Sequence, residues 1–464
     1  MHWKKAHFIG IGGVGMSAVA KLLKDIDTEV TGSDEEIYPP ILDFLKQQGF
    51  SYKTPYAAIN IPRDADLIVI GKNAKLVPES NEEVAAAFAS GKTILSFPEV
   101  LGELSKKKET IVVAGSYGKS TCAALLAHCL ESAGLEPSYF IGAVPIPPNV
   151  SAKIGAGNIF VLEGDEYPSS NTDPRAKFLH YHPSHALITP LAHDHFNVFP
   201  TPADYLRPFY DLAQLTKSLV ACTEGPLSKE FIYSISNPVT YGLHEGDFHA
   251  ADIVWGEKSY FNVLQNNAVV TNVETSLLGE HNVQNIVGVA ALLFSKNIMS
   301  PEQFASAVAS FKGIKRRLDR KSEKTSIPIF EGFGSSLEKL RSAIAAMRLH
   351  FPARRLIVVF EPHTFSWRNR DALPWYDIAF AGADRVYIFD PPRGGKETQL
   401  SLKEMTARVQ ESGITATGVA AANEALAAVE KELRSNDAIL LSSSGELGGL
   451  IESIPRLAEQ KFPK

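Results

Sequence analysis

Lys119 and Ser120 stand where an ammonium group and a hydroxyl can serve a phosphate. They follow Gly115–Ser116–Tyr117–Gly118 and precede Thr121, and the apolar run Ile111–Val112–Val113–Ala114 leads into them. Behind them Ala123, Leu125, Leu126 and Leu130 recur at helical spacing. Strand, glycine-framed turn, Lys-Ser, then helix is the layout of a phosphate-binding loop. Its backbone N–H groups turn inward around phosphate oxygens, and the helix N-terminus adds a favourable partial charge. In such a loop Lys119 reaches the terminal phosphates and the Ser120 hydroxyl holds Mg²⁺. The spacing is a shortened GxxGK[ST], because Val113 stands where the longer loop has glycine. The expectation is a nucleoside triphosphate site.

Two other clusters carry chemistry. Ile159–Leu162 reads as a strand delivering Glu163–Gly164–Asp165–Glu166–Tyr167, and Ala186–Ile188 as one ending near His193–Asp194–His195. Carboxylates at the C-terminal end of a parallel strand sit at the ligand edge of such sheets. A lone strand-end histidine is more often structural, but the two clusters together can assemble oxygen and imidazole ligands around Mg²⁺ beside Ser120. A second glycine turn, Gly10, Gly12, Gly13 and Gly15, follows the short strand Ala6–Ile9. It has the dinucleotide fingerprint, and Asp34 falls about twenty positions on, where an acidic residue bonds a ribose hydroxyl. That pattern fits NAD-binding proteins, any domain holding a nucleotide diphosphate, and glycines that serve packing alone. Near Asn282 and Asn285 the stretch Gly279–Asn285 offers either a helix cap or a base contact, and its spacing slightly favours the cap. Lys312–Arg317 reads equally as an anion clamp or as an exposed basic turn.

The elements that must position these residues alternate strand and helix. Strands at Glu29–Thr31, Leu67–Ile70 and Thr93–Leu95, with helices between them, imply a parallel sheet. The lysine-rich Ser105–Lys108 reads as a linker. From about residue 320, strands at Ile327–Phe330, Leu356–Phe360, Val386–Phe389 and Ala438–Leu441 repeat the pattern. Ser335 toward Glu338 forms a capping box, opening a helix whose Leu337, Leu340, Ile344 and Met347 face the core. The fold class is α/β. At 464 residues the chain is long enough for about three domains.

Composition excludes several classes. A net charge of −6 with scattered Lys and Arg leaves no footprint for nucleic acid. Three cysteines form neither a disulfide framework nor a zinc cluster; Cys122 and Cys129 share one helix face as buried thiols. No apolar run reaches a membrane span, and the glycines at Gly10–Gly15 break the signal-like N-terminus. The reading is cytoplasmic, with no membrane partner.

Taken in order, GIGGVGMSA, VTGSD with Tyr38–Pro39–Pro40, AGSYGKST, EGDEY, the Asp194–His195 pair, GEHNVQN, FKGIKRR and FEPH resemble the Mur ligase family of cell-wall synthesis over nearly the whole chain. The resemblance implies three domains: a Rossmann-like UDP-sugar domain over residues 1–105, a central ATP-binding P-loop domain over 106–319, and a Rossmann-like amine-substrate domain over 320–464. It implies an ATP- and Mg²⁺-dependent ligase that couples UDP-N-acetylmuramate to a short peptide or amino acid through an acyl phosphate, as a monomer or weak homodimer. The segment Glu163–Tyr167 with Asp173, Arg175, Lys177 and His180 is similar to the recycling branch, whose amine is L-alanyl-γ-D-glutamyl-meso-diaminopimelate. Carried over residue by residue, Lys119, Glu163 and His195 are catalytic, and Ser120, Glu163 and His195 are metal-associated. Gly115, Ser116, Tyr117, Gly118, Lys119, Ser120, Thr121, Asn282, Asn285, Arg316 and Arg317 border ATP. Gly10, Gly12, Gly13, Gly15, Ser33, Asp34 and Asn73 hold the UDP-sugar. Three positions depart from the pattern. Tyr117 replaces a loop histidine, Pro190 replaces an asparagine, and Glu331–Leu337 replaces DDYGHHP.

Overall fold

The computed structural model describes residues 3–390 and 399–464. They form two compact units: Met1–Ala251 with Asn262–Val273 and Gln284–Phe311, and Asp252–Phe261 with Glu274–Val283 and Lys312–Lys464. The architecture is α/β throughout, built on three sheets, as the alternation of apolar runs and helical stripes requires. No described helix is long and apolar enough to cross a membrane.

The first sheet comprises β1 (Lys5–Ile9), β2 (Glu29–Ser33), β3 (Ser51–Lys53), β4 (Leu67–Ile70) and β5 (Thr93–Leu95), ordered β3-β2-β1-β4-β5. Every pairing in it is parallel. The order reverses direction at β1, so the glycine turn after Ile9 opens at the switch point where such sheets bind ligands. The helix Val14–Lys24 follows the turn directly.

The second sheet holds β6 (Glu109–Ala114), β7 (Ser138–Phe140), β8 (Ala152–Lys153), β9 (Ile159–Glu163), β10 (His185–Ile188), β11 (Ser218–Cys222), β12 (Val239–Tyr241), β13 (Phe248–Val254), β14 (Ser259–Gln265) and β15 (Ala268–Thr275). Its order is β15-β14-β13-β12-β11-β10-β6-β9-β7-β8. Ile111, Val112, Val113 and Ala114 have no exposed surface, the burial on both faces that a continuous β-branched run demands. β6 lies between β9 and β10, parallel to both, with Val113 opposite Glu163 and Ala114 opposite Ile188. The phosphate loop, the acidic cluster and the histidine cluster therefore leave the sheet at one edge.

In the second unit β16 (Arg317–Arg320), β17 (Ile329–Phe333), β18 (Arg355–Phe360), β19 (Arg385–Phe389), β20 (Thr415–Val419) and β21 (Asp437–Ser443) are ordered β16-β17-β21-β18-β19-β20. Two expectations shift here. The strand expected at Ile327–Phe330 runs from Ile329 to Phe333, because pairing with β21 fixes its register. The helix cap is Ser336, whose hydroxyl accepts the Lys339 N–H, while the Ser335 hydroxyl takes the Lys339 ammonium at 3.0 Å. Both serines precede the same apolar stripe, and one residue of backbone extension decides between them.

Candidate nucleotide and acid-substrate site

The loop after β6 has the conformation its glycines allow. Gly115 has φ +134° and Gly118 φ +87°, both in the left-handed region. A Cβ at Gly115 would lie 2.3 Å from Thr189 Oγ1, and one at Gly118 would lie 2.3 Å from Asn285 Oδ1. The helix Lys119–Ser132 starts immediately after Gly118, so its first N–H groups have no partner within the helix and lie at the loop end. Ser116 ties the loop down: its hydroxyl donates to the Ala192 carbonyl at 2.8 Å and lies 2.6 Å from the Tyr205 hydroxyl. At the departed position 190, the proline carbonyl still accepts the Ser116 N–H at 2.9 Å. Tyr117 stands 57 % exposed at the rim of the loop.

Two short chains of contacts meet at this edge. Ser120 Oγ donates to Glu163 Oε1 at 2.8 Å, and the Gly142 N–H donates to Glu163 Oε2 at 2.6 Å. Burial pushes the Glu163 carboxyl up, against the pull of Gly142, Ser120 and Lys119. In the second chain Lys119 donates to the Gly115 carbonyl and lies 3.4 Å from Glu166 Oε2. Glu166 Oε1 lies 3.3 Å from His195 Nε2, and His195 Nδ1 is 2.8 Å from the Tyr167 hydroxyl. The Glu166 contact raises the His195 pKa despite some desolvation. Glu163 is therefore paired with Ser120, whereas His195 is joined to Lys119 through Glu166. The sequence places Glu166 in the acidic cluster with no role of its own; its near-complete burial between a lysine and a histidine is a tertiary fact.

These residues fit a nucleotide with Mg²⁺. Among the described residues no group of three or more His, Cys, Asp and Glu could hold a metal ion alone. Mg²⁺ in phosphate sites characteristically takes one or two protein oxygens and completes its shell with phosphate and water. The Ser120 hydroxyl and Glu163 carboxylate are such a pair.

The remaining candidates divide. The Gly12 N–H donates to Asp34 Oδ2 at 2.7 Å and the Tyr56 hydroxyl to Oδ1 at 2.8 Å, so Asp34 closes over the glycine turn. Gly10 N–H donates to the Ser33 carbonyl at 2.9 Å. The Ser33 hydroxyl is fully buried and donates to Glu83 at 2.7 Å, which leaves its backbone to shape the turn. Gly13 precedes the Val14–Lys24 helix, and Gly15 lies within it, against the Phe97 ring. The Asn73 carbonyl accepts Asn171 Nδ2 at 2.7 Å, and Lys72 donates to the Pro168 carbonyl at 3.1 Å. These bonds fasten the β4 loop to the acidic segment. Asn285 Oδ1 sits beside Gly118 and accepts from the buried Cys122 thiol at 3.3 Å. Asn282 corrects the cap reading: it lies inside the helix Glu280–Ser295 and donates to the Leu278 carbonyl at 2.8 Å.

Within the second unit, Arg316 donates to the Ser443 and Gly445 carbonyls at 3.2 and 2.6 Å and pairs with Glu331 at 3.2 Å. Arg317 begins β16 with its guanidinium 5.9 Å from the Phe333 ring centroid. Glu331, the carboxylate retained in the departed Glu331–Leu337 segment, also accepts Lys321 at 2.7 Å.

The first unit also holds a cavity of about 300 Å³, lined by Val14, Ala18, Phe97, Phe140 and Ile141 and by the charged Glu163, Asp165 and Lys177 among others. It runs from the start of the first helix to the acidic strand end. A glycine turn at one sheet switch point, a phosphate loop with a hydroxyl–carboxylate pair, and a cavity reaching from one toward the other define a multidomain α/β enzyme that acts on nucleotides.

Comparison with known proteins gives the family. Residues 113–293 match the Mur ligase middle domain, and residues 5–109 match the Mur ligase family catalytic domain. The UDP-N-acetylmuramate–L-alanine ligase of Burkholderia ambifaria is 29 % identical over 475 residues, covering 99 % of each chain. The crystal structure of the UDP-N-acetylmuramate–alanine ligase of Thermotoga maritima superposes with a TM-score of 0.78 at 24 % identity, over 99 % of each chain, and so shares the fold. The UDP-N-acetylmuramate:L-alanyl-γ-D-glutamyl-meso-diaminopimelate ligase of Neisseria meningitides is 30 % identical, with a TM-score of 0.61, over 68 % of this chain and 99 % of that one. The chain belongs to the Mur ligase family. It is an ATP-dependent ligase of peptidoglycan synthesis that forms an amide bond.

Proposed function

We propose that the enzyme joins UDP-N-acetylmuramate to the tripeptide L-alanyl-γ-D-glutamyl-meso-diaminopimelate in peptidoglycan recycling, in the cytoplasm, as a monomer or weak homodimer. The observation that carries this reading is the 30 % identity to the Neisseria tripeptide ligase across that chain. Asp173 ion-paired with Arg175, with His180 beside it, belongs to the segment similar to the recycling branch and agrees with it. Residues 1–105 take the UDP-sugar, 106–319 take ATP, and 320–464 take the amine.

ATP, when bound, supplies the phosphoryl group that activates the acid, and Mg²⁺ supplies charge neutralisation. The protein's share is positioning and electrostatics. The loop N–H groups and Lys119 hold the phosphates, with Glu166 keeping the ammonium at the loop until they arrive. Ser120 and Glu163 hold the metal. His195, fixed in orientation by Tyr167, lies beside Glu166 at the same edge, and Asn285 packs where only a glycine at position 118 leaves room. Asp34 and the Gly10–Gly15 turn receive the nucleotide of the sugar substrate, and Asn73 marks where that loop meets the acidic segment.

A second reading, the L-alanine-adding ligase, is favoured by the Burkholderia relative, which aligns over 99 % of both chains. A third, a nucleotide-binding relative without ligation, rests on the altered Glu331–Leu337 segment. Phosphate release from ATP with UDP-N-acetylmuramate and either amine decides among them. Turnover with the tripeptide supports the proposal, strong turnover with L-alanine alone overturns it, and ATP binding without turnover on any amine selects the third reading.

A further inference from the structure

The cavity between the first helix and the acidic strand end presents a charge problem. Its walls at Val14, Ala18, Phe97 and Phe140 are apolar, while Glu163 and Asp165 face one end of it. An acid substrate whose carboxylate must reach the edge beside Ser120 would pass Asp165 as well as Glu163, and like charges repel. Among the described lining residues the cation is Lys177. Its ammonium pairs with Asp165 at 2.5 Å and lies 5.4 Å from the Phe97 ring centroid and 6.0 Å from that of Tyr167. Lys72 approaches the same Tyr167 ring, also at 6.0 Å, so a second cation stands behind the first. Lys177 is only 16 % exposed, held in place by the aromatic rings and by Asp165.

We propose that Lys177 is a positioning residue that binds the reacting carboxylate of the acid substrate, with Asp165 as its counter-ion. This assignment rests on the proposed reading that the cavity receives UDP-N-acetylmuramate. The carboxylate takes a share of the ammonium, which has three donors and can serve Asp165 and the substrate together. No covalent step is involved. The aromatic wall holds the sugar ring beside the ion pair.

The test is calorimetric binding to the full chain of UDP-N-acetylmuramate and of UDP-N-acetylglucosamine, which lacks the carboxylate. Lys177→Met is expected to weaken the first ligand about tenfold or more and the second less than about twofold. Lys177→Arg is expected to recover most of the loss, and Asp165→Asn to leave binding of the acid equal or tighter. In steady-state turnover the Met variant raises KM for the acid with ATP binding unchanged. Equal loss for both ligands, or none for either, overturns the assignment while leaving the proposed function intact. Wild-type protein that binds neither UDP-sugar overturns the reading and the assignment together. Where the Met variant fails to fold, the Arg and Asn variants decide: discrimination between the two ligands that is unchanged in both overturns the assignment.

Discussion

The Ser120 hydroxyl and the Glu163 carboxylate meet at 2.8 Å, although 43 residues separate them in the chain. The parallel pairing of β6 with β9 brings the loop and helix after Ala114 and the end of β9 to the same edge of the sheet, where the two side chains meet. The Gly142 N–H occupies the other carboxylate oxygen, which fixes the orientation of the group. A carboxylate so held, with burial raising its pKa, is prepared to be neutralised by a cation. Glu163→Gln removes the charge and keeps the shape. The expected result is a rise of about 10–100-fold in the Mg²⁺ concentration needed for half-maximal phosphate release, with the far-ultraviolet spectrum unchanged.

Lys119 is the charge that faces the transferred phosphoryl group in the proposed mechanism. Lys119→Met should lower tripeptide-dependent phosphate release by about 10²–10³-fold, the usual effect of losing one electrostatic stabiliser. Because Lys119 also neutralises Glu166, Glu166→Gln in the same background tests the coupling between them. Effects that fail to multiply in the double variant identify a shared role.

Gly118 tests the loop geometry. Alanine there must adopt φ near +87° and place its Cβ 2.3 Å from Asn285 Oδ1. The backbone alone costs about 1–2 kcal/mol, and the clash displaces Asn285 as well. Gly118→Ala should lower stability to urea and weaken ATP binding, whereas Gly134→Ala, also at positive φ but with open space around it, should cost only the backbone share.

Glu83 sets an acid limit for the first sheet. It is fully buried and receives bonds from His7 at 2.8 Å, Ser33 at 2.7 Å, the Ala57 N–H at 2.9 Å and Asn60 at 3.1 Å. Burial opposes its ionisation, but these bonds together hold its pKa below the usual carboxylate value. The folded protein therefore binds the proton less readily than the unfolded chain. This stabilisation is present above about pH 4.5 and is lost as pH falls through the lower folded value. Urea unfolding from pH 6 to 3 should show the decline in the wild type and a flatter profile in Glu83→Gln. At neutral pH Glu83→Ala should cost about 3 kcal/mol, because several buried donors lose their acceptor.

In the second unit, Lys321 lies between Asp319 at 3.2 Å and Glu331 at 2.7 Å, both nearly inaccessible. Lys321→Met would leave the two buried carboxylates with Arg316, which pairs with Glu331 at 3.2 Å, as the cation that still faces them. Denaturant unfolding should report a loss of about 1–3 kcal/mol, less than a fully uncompensated buried pair because Arg316 still neutralises Glu331.

The candidate site was legible in sequence where chemistry is local. Lys119, Ser120 and the glycines around them follow from adjacency, since a tight turn before a helix needs glycine at positive φ whatever the rest of the protein does. The strand cores at Ile111–Ala114 and Ile159–Leu162 were equally readable, because burial on both faces writes an unbroken apolar run. The capping serine, the β17 register and the Asn282 bond were misplaced by sequence because each depends on a partner strand or turn with no local signal.

Sequence alone therefore determined the α/β class, the two glycine turns and the strand ends that carry charge. Only the tertiary structure decided which charges meet: Glu163 with Ser120, His195 with Glu166, the Ser33 hydroxyl turned inward to Glu83, and Lys177 beside Asp165 in the cavity. The physical reason is one of range. Backbone conformation and hydrophobic periodicity act over a few residues, whereas an ion pair forms only after sheet order and register bring distant strand ends to one edge.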